Sequence, residues 1–406
     1  MTSRAHLGRL PCRATLLAVA AAGCLSSPLA WANSEDNLQF SARHETSYDS
    51  NLFRIAPGRR PNSDKSDTIN ATTLGVKYDK EYSLQRIELE ASLVHRRYRN
   101  FSYLDFSALD YRTVWNWSAT PHLRGTLFAT RQTRANSYAD VSNIGLRNLR
   151  EEDILGFTGE LDLGRALRLV GGLGQRRLSN EQVVLQDRDS RVRTVSGGLR
   201  YVYPSGSYVG YGYKLSRGAY LNHIPNSSET GPVDFDQTEH ELAANWALTG
   251  KTSVRGSVSY LSRKHIDAPQ RDFSTPLAEI LVRWSPTGKV VIDAGLERAF
   301  IASQTDYASY AVGSRFSLRP TWNATAHLSV RMQLEYFDQE YKGALDPAAL
   351  FTGREDATRL ARIALDWRPQ EALLFTLQLQ AEKRASNFNS FDYTTHGASL
   401  SARLRF

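Results

Sequence analysis

The C-terminal segment alternates strictly between apolar and polar residues and closes on an aromatic one. Its apolar positions are Ala398, Leu400, Ala402, Leu404 and Phe406, and its polar positions are Ser399, Ser401, Arg403 and Arg405. A strand with one apolar face that ends on an aromatic residue is typical of the last strand of a bacterial outer-membrane barrel. A half-buried strand of a soluble β-sandwich is the alternative, because period-two alternation is common. In a barrel, Phe406 would be the assembly signal, since a terminal aromatic resembles what the barrel-assembly machinery recognises.

The N-terminal segment has the pattern of a secretory signal peptide. Its basic region, apolar run and cleavage pattern are Arg4, Arg9 and Arg13, then residues 14–22, then Ala30-Trp31-Ala32. No later stretch approaches the roughly 18 consecutive apolar residues of a transmembrane helix, so a membrane location requires strands. We predict a signal peptide over residues 1–32 and a single barrel over residues 33–406.

Both cysteines, Cys12 and Cys24, lie in the segment predicted to be removed. A mature chain beginning at Asn33 has no thiol, disulfide or thiolate metal site. Ala21-Ala22-Gly23-Cys24 is an alternative lipoprotein processing site, with Ala where Leu is usual. The Ala30-Trp31-Ala32 site matches its pattern better, and a barrel needs no lipid anchor.

The composition suits a barrel wall, in which only every second residue faces lipid. Hydrophobic residues make up 41% of the chain, yet it has 19 Tyr, 16 Phe and 7 Trp, which barrels place in girdles at the two membrane interfaces. The formal charge of +8 falls to +5 when three signal-peptide arginines are removed. This modest excess does not indicate a nucleic-acid partner.

Short turn signals alternate with longer polar stretches along the whole chain, as in outer-membrane barrels with tight periplasmic turns. The turn signals are Asp79-Lys80-Glu81, Thr120-Pro121, Gly164-Arg165, Pro204-Ser205-Gly206, Thr249-Gly250, Ser285-Pro286-Thr287-Gly288, Arg319-Pro320 and Arg368-Pro369. The longer stretches lie near 49–66, 99–105, 135–147, 179–190, 217–236, 264–274, 302–308, 338–355 and 385–391. We predict an all-β fold, a transmembrane antiparallel β-barrel of about eighteen strands, with sixteen as the alternative count. One segment, Leu123 to Arg134, is ambiguous because Leu127 and Phe128 lie on opposite faces.

Charged residues occupy the alternate face of these strands and must line an aqueous interior, because an Arg at the bilayer midplane costs roughly 2 to 4 kcal/mol. Strand parity predicts that seven arginines line the substrate path: Arg86, Arg112, Arg255, Arg283, Arg331, Arg362 and Arg403. Arginines outnumber acids on this face, so we expect a positive wall that attracts anions without trapping them. The alternative is a lumen neutralised by arginine–carboxylate pairs between neighbouring strands. Aromatic residues of the outer loops could stack on sugar rings: Tyr98, Phe101, Tyr103, Tyr138 and Tyr220.

Motifs for catalysis are missing from the sequence, which contains no H-E-x-x-H pair, no G-x-S-x-G elbow and no P-loop. We therefore predict a non-enzyme with no cofactor, no metal site and no catalytic residues.

Several segments of the first third resemble the EpsL-type outer-membrane proteins of exopolysaccharide biosynthesis clusters. These are Tyr48-Asp49-Ser50-Asn51-Leu52-Phe53-Arg54, Ser66-Asp67-Thr68, Asp79-Lys80 with Gln85-Arg86, residues 98–105, Trp115-Asn116-Trp117 and Arg147-Asn148-Leu149-Arg150. The remainder shares only the barrel pattern. The resemblance implies an outer-membrane step in export of a polysaccharide that is assembled in the inner membrane. It supplies no catalytic or binding residues.

Two functional hypotheses follow for a barrel in the outer membrane of a Gram-negative bacterium. The first is a conduit that exports an exopolysaccharide, either anionic or neutral, with outer-membrane lipids, the polysaccharide, and periplasmic and inner-membrane export components as partners. The alternative is a general or substrate-selective diffusion porin, or a structural barrel that anchors a partner. An inward-folded loop would favour a porin, and the loops are of similar modest length, which favours the conduit.

Overall fold

The computed structural model describes residues 37–58, 65–140, 146–182, 189–221, 234–266, 268–305 and 307–406. The predicted signal peptide, both cysteines and the cleavage site lie outside these residues. The described chain forms eighteen strands: β1 (Leu38–Asp49), β2 (Asp67–Tyr82), β3 (Gln85–Tyr98), β4 (Phe106–Thr120), β5 (Leu123–Ala135), β6 (Leu149–Asp162), β7 (Leu167–Asn180), β8 (Ser190–Val202), β9 (Tyr208–Tyr220), β10 (Asp234–Thr249), β11 (Thr252–His265), β12 (Phe273–Thr287), β13 (Val290–Thr305), β14 (Ala308–Asn323), β15 (Leu328–Lys342), β16 (Glu355–Gln370), β17 (Leu373–Ser386) and β18 (Tyr393–Arg405).

The strands form one antiparallel sheet that closes into a barrel. Each strand pairs with its neighbours in the chain, and β1 pairs with β18 as well as with β2. Closure leaves no strand edge unpaired, which is the condition for a sheet in hydrocarbon. The predicted fold and the count of eighteen strands are confirmed. The alternative count of sixteen is wrong.

The period-two pattern sorts side chains between the lumen and the lipid. Leu93, Leu173 and Leu400 keep 57%, 57% and 58% of their surface exposed on the outer face of the wall. Charged residues occupy the alternate positions. No helix in the described parts of the chain is long and apolar enough to cross a membrane. Three one-turn 3-10 helices, Ser102–Leu104, Pro269–Arg271 and Asn389–Phe391, lie in the connections.

The two ends of the barrel differ in their connections. One end, the periplasmic end, carries turns of two to five residues together with the first and last strand ends. The opposite end, the outer mouth, carries the longer connections, up to the seventeen residues between β1 and β2. The exception is the connection between β13 and β14, where a longer polar stretch was predicted near 302–308 and only two residues separate the strands.

Three predicted turns lie inside strands instead. Asp79-Lys80-Glu81 belongs to β2, Arg319-Pro320 to β14 and Arg368-Pro369 to β16. A proline ends a strand only where its missing N–H is needed for pairing. Pairing of β14 with β15 lapses beside Pro320, between Leu318 and Thr321, and the strand continues past the gap.

The ambiguous segment is strand β5, with Leu127 on the outer face and Phe128 in the lumen. Phe128 pairs with Gly156 of β6, where a Cβ atom would stand 2.3 Å from the Phe128 ring. The glycine makes room for an aromatic ring on the lumen face, so the apolar pattern of β5 breaks there.

Candidate functional site

Strand register places all seven predicted arginines on the lumen face. Arg112 pairs with Glu90 across β3 and β4, Arg283 pairs with Asp293 across β12 and β13, and Arg403 pairs with Arg43 across β18 and β1. The remaining four, Arg86, Arg255, Arg331 and Arg362, occupy the same parity in their strands. The seven are spread around the wall rather than gathered at one point.

Four of the seven arginines are neutralised by carboxylates. Each donates to an acid of its own or the adjacent strand: Arg86 Nε to Asp79 Oδ1 (2.9 Å), Arg112 Nη1 to Glu88 Oε2 (3.2 Å), Arg283 Nε to Asp293 Oδ1 (3.0 Å) and Arg331 Nε to Asp366 Oδ2 (2.5 Å). The lumen wall therefore carries less net positive charge than we predicted. For these four arginines, the alternative of arginine–carboxylate pairs between neighbouring strands holds.

The other three arginines have no carboxylate within 4.0 Å in the described chain. Arg362 donates from Nη1 to Gln333 Oε1 (3.0 Å) and from Nη2 to Gln380 Oε1 (3.1 Å), which leaves its charge uncompensated. Arg255 and Arg403 have no ion pair among the described residues. The charge of these three guanidinium groups is not compensated by a carboxylate of the described chain.

A denser cluster lies in the periplasmic half of the lumen. Arg124, Arg168 and Arg200, from β5, β7 and β8, all donate to Glu160 of β6, at 2.5, 2.8 and 2.7 Å. Asp162 takes further contacts from Arg124 and Arg168. The cluster lines part of a cavity of about 880 Å³. None of these three arginines is among the seven predicted to line the path, and Arg124 lies in the segment whose pattern was ambiguous.

Residues 136–140, at the start of the connection between β5 and β6, fold inward and reach across the outer mouth. Asp140 Oδ1 accepts from Arg354 Nη2 (2.8 Å), which precedes β16, and from Arg384 Nη1 (2.9 Å) on the lumen face of β17. Six strand positions around the wall separate β5 from β17. A tie over this distance between lumen-facing groups means that the loop spans the interior. We call these three residues the latch.

The latch is held by charge in a partly enclosed place outside the membrane-spanning segments. Arg354 is fully buried; it also pairs with Asp356, and its guanidinium lies 3.5 Å from the centre of the Phe391 ring. Asp140 keeps 40% of its side-chain surface exposed to the water of the mouth. Burial by itself would raise the pKa of Asp140, but the guanidinium groups of Arg384 and Arg354 outweigh it and lower that pKa below its ordinary value.

Aromatic residues of three connections pack together beside the latch. Phe53 contacts Phe101 and Tyr138, with ring centres 4.8 and 5.0 Å apart, and Leu104 is buried in the same cluster. Of the five aromatic residues predicted to stack on sugars, only Tyr103 is exposed. The other four are buried, which contradicts that prediction, because they stabilise the loops against one another.

Polar residues of the segments that resemble EpsL-type proteins fix the same loops. Asp67 Oδ1 accepts from the backbone N of Asn100 (2.9 Å), and Asn51 Nδ2 donates to the carbonyl of Thr394 (3.1 Å). Asn136 bridges Asn148 and Asn180, at 3.0 Å to each. Four of the six segments, residues 48–54, 66–68, 98–105 and 147–150, therefore build the outer mouth, whereas Asp79-Lys80 with Gln85-Arg86 and Trp115-Asn116-Trp117 lie toward the periplasmic end. Sequence reasoning treated them as signs of a family and missed their structural part.

A second element, the hairpin of β13 and β14, also bends into the lumen at its outer end. Pairing of β13 with β12 stops at Arg298, although β13 continues to Thr305. Above that point Phe300 and Tyr310 stack on Phe273 of the inner wall, with ring centres 4.9 and 4.1 Å apart. Chain therefore enters the mouth from two sides. The similar, modest lengths of the loops favoured a conduit, but loop length alone did not reveal these inward folds.

No cluster of three or more His, Cys, Asp or Glu residues suited to a metal ion occurs in the described ranges. The chemistry of the lumen is that of guanidinium, carboxylate and amide groups on a rigid wall.

Comparison with known proteins points to porins. A family model described as "Putative beta-barrel porin 2" matches residues 236–406. The structure is similar to the outer membrane protein OpdK of Pseudomonas aeruginosa, with a TM-score of 0.53 and 12% identity over 92% of this chain and 99% of that one. It is also similar to a BenF-like porin of Pseudomonas fluorescens Pf-5, with a TM-score of 0.52 and 10% identity over 92% and 99%.

The chain is an outer-membrane β-barrel with the eighteen-stranded fold of these proteins. The third similar structure is OpdK with vanillate, with a TM-score of 0.51 and 10% identity over 91% of this chain and 99% of that one. Among curated proteins none matches the chain. The predicted localisation and the prediction of a non-enzyme agree with the porin match.

Proposed function

We propose that this barrel is a substrate-selective diffusion porin for small solutes that carry a carboxylate. The observation that carries the proposal is the latch, in which Asp140 is held by Arg354 and Arg384 from another part of the wall. A segment fixed across the mouth narrows the path, and narrow, charge-lined paths select solutes by size and charge.

The preference for anions rests on the lumen arginines that lack a carboxylate partner in the described chain. Arg255, Arg362 and Arg403 present guanidinium groups, which bind carboxylates with two parallel hydrogen bonds. Acids elsewhere on the wall keep the attraction weak enough for release. A small aromatic anion occupies one of the similar barrels, OpdK with vanillate.

Export of an exopolysaccharide is the second candidate, and the EpsL-like segments of the first third favour it. Two of those segments contribute Phe53 and Phe101 to the outer mouth, where Phe53 packs face to edge against Phe101 and Tyr138. A polymer would have to pass beside this cluster and the latch, which makes export the weaker candidate. Periplasmic and inner-membrane export components are partners only under this hypothesis.

Liposome swelling with the refolded barrel tests the size and charge preference. We expect small carboxylates to enter faster than neutral sugars of similar mass, and oligosaccharides to be excluded. The variant D140N should admit the larger solutes because it loses the latch. D346N is the matched control, since Asp346 lies in an outer connection and hydrogen-bonds only within it.

Planar bilayers test the arginines separately. The triple variant R255E/R362E/R403E should reverse an anion preference measured as a reversal potential in a salt gradient. The control R97E/R298E/R359E makes the same change of charge on the outward face, where the register places these residues. Cation preference in the unmodified barrel would contradict the proposal, and loss of secreted polymer on deletion of the gene would favour export.

A further inference from the structure

The outward face of β7, β8 and β9 carries four arginines close together near the outer mouth. Arg177 of β7 lies directly opposite Arg191 of β8, and Arg193 of β8 lies directly opposite Arg217 of β9. We call these four residues the arginine patch. It faces away from the lumen, so it has no part in the solute path.

The patch lies immediately above the apolar band of the wall. The next outward positions toward the periplasm are Leu173, Val195 and Leu215, which pair in one row and keep 57%, 55% and 48% of their surface exposed. Exposed aliphatic residues in a row mark the hydrocarbon. Arg193 and Arg217 lie one row above these residues, and Arg177 and Arg191 lie two rows above, so the patch is at the height of the lipid headgroups of the outer leaflet.

Like charges directly opposite each other in a sheet are destabilising, so this arrangement calls for an anion. Asp236 compensates only Arg217, at 2.9 Å. No carboxylate of the described chain lies within 4.0 Å of Arg177, Arg191 or Arg193.

Nearby acids serve another residue. Asp153 and Glu151 both pair with Arg131, at 2.7 and 3.5 Å. The Nε atom of Arg191 is shielded from solvent and has no hydrogen-bond partner in the described chain. The patch thus keeps an excess of positive charge and unused donors.

We propose that the arginine patch binds the phosphate groups of the phosphorylated glycolipid in the outer leaflet. Guanidinium groups form paired hydrogen bonds with phosphate, and two arginine pairs side by side match a headgroup that carries more than one phosphate. Bound lipid phosphate lies between the like charges and removes their repulsion. The lipid is then a fixed neighbour of β7, β8 and β9 rather than part of a uniform solvent.

The test uses the full-length barrel in nanodiscs, with bisphosphorylated lipid A and the same lipid without phosphates as probes. Lipid retained per barrel is counted by native mass spectrometry across a lipid titration. We expect the unmodified barrel to prefer the phosphorylated probe. The variant R177Q/R191Q/R193Q/R217Q should lose that preference by roughly a hundredfold, since each of the three arginines without a carboxylate partner contributes roughly fivefold near a charged membrane surface.

The control variant R97Q/R298Q/R359Q/K383Q removes the same four charges from outward positions on other strands. It should keep the preference. Equal loss in both variants, or none in the first, would overturn the proposal and leave the patch to a second copy of the chain or another membrane protein. If the first variant does not fold, equal retention of the two probes by the unmodified barrel overturns the proposal without any variant.

Discussion

At the residue scale, one carboxylate decides how the outer mouth is held. Asp140 is the acceptor that Arg354 and Arg384 share, and the two guanidinium groups also face Asp356. Removing one partner of an enclosed ion pair leaves the other charge uncompensated, which costs more than the pair contributes. The latch is therefore sensitive to single substitutions and to protonation.

We predict that acid releases the latch. The pKa of Asp140 is below its ordinary value of 3.8, so the ion pairs are complete above that value and are lost as pH falls through the lowered pKa. Single-channel conductance should be constant from neutral pH down to about 4 and should rise below it. D140N should show the raised conductance at every pH. A change in conductance between pH 5 and 7 would instead indicate that a group other than Asp140 controls the opening of the mouth.

At the element scale, the last strand closes the barrel through its terminal residue. The backbone N of Phe406 donates to the carbonyl of Phe40 (3.0 Å), the N of Phe40 donates to the carbonyl of Phe406 (2.7 Å), and the rings stack with centres 6.0 Å apart. Phe406 is thus both the predicted assembly signal and a structural contact of β1.

Two variants separate these roles. Deleting Phe406 should strand the chain in the periplasm if the assembly machinery reads the terminal aromatic. F40A removes the same ring contact and keeps the terminus, so it should reach the outer membrane at normal levels. Quantitative blots of membrane fractions give the result, and equal depletion in both variants would assign the effect to closure instead of to the signal.

Period-two alternation was enough to predict the strands, because lipid imposes an apolar residue at every second position. It also placed Arg86, Arg283 and the other five arginines on the lumen face. It could not predict Asp140 and Arg384 as partners, since contacts between loops far apart in the chain have no period.

Three connections share a hydrogen-bonded turn that the sequence pattern did not reveal. In each, an aspartate follows a 3-10 turn, and its Oδ1 accepts a hydrogen bond from the backbone N of the preceding strand at 2.6 to 2.7 Å; the aspartates are Asp105, Asp272 and Asp392.

At the scale of the whole molecule, the barrel needs no covalent cross-link to hold it closed. Eighteen strands pair edge to edge around the full circle. Backbone hydrogen bonds are made between neighbouring strands all around the wall, so detergent finds no free strand edge at which to disrupt them.

We predict a mature protein that starts at Asn33 and contains no cysteine. Intact mass after purification from outer membranes should match residues 33–406, and the unheated protein should migrate faster than the heated one in SDS gels. C24A should leave both results unchanged, whereas labelled palmitate on the wild-type chain would establish the lipoprotein alternative.

The latch can form only late in the synthesis and insertion of the chain. Asp140 lies 214 residues from Arg354 and 244 residues from Arg384 along the chain. Its anchors belong to the last strands to be synthesised and inserted, so the mouth stays unobstructed until the wall is nearly complete. A barrel that lacks its last strands would therefore have no latch to narrow its mouth. Under the proposed function, size selection would therefore begin only when assembly of the barrel is complete.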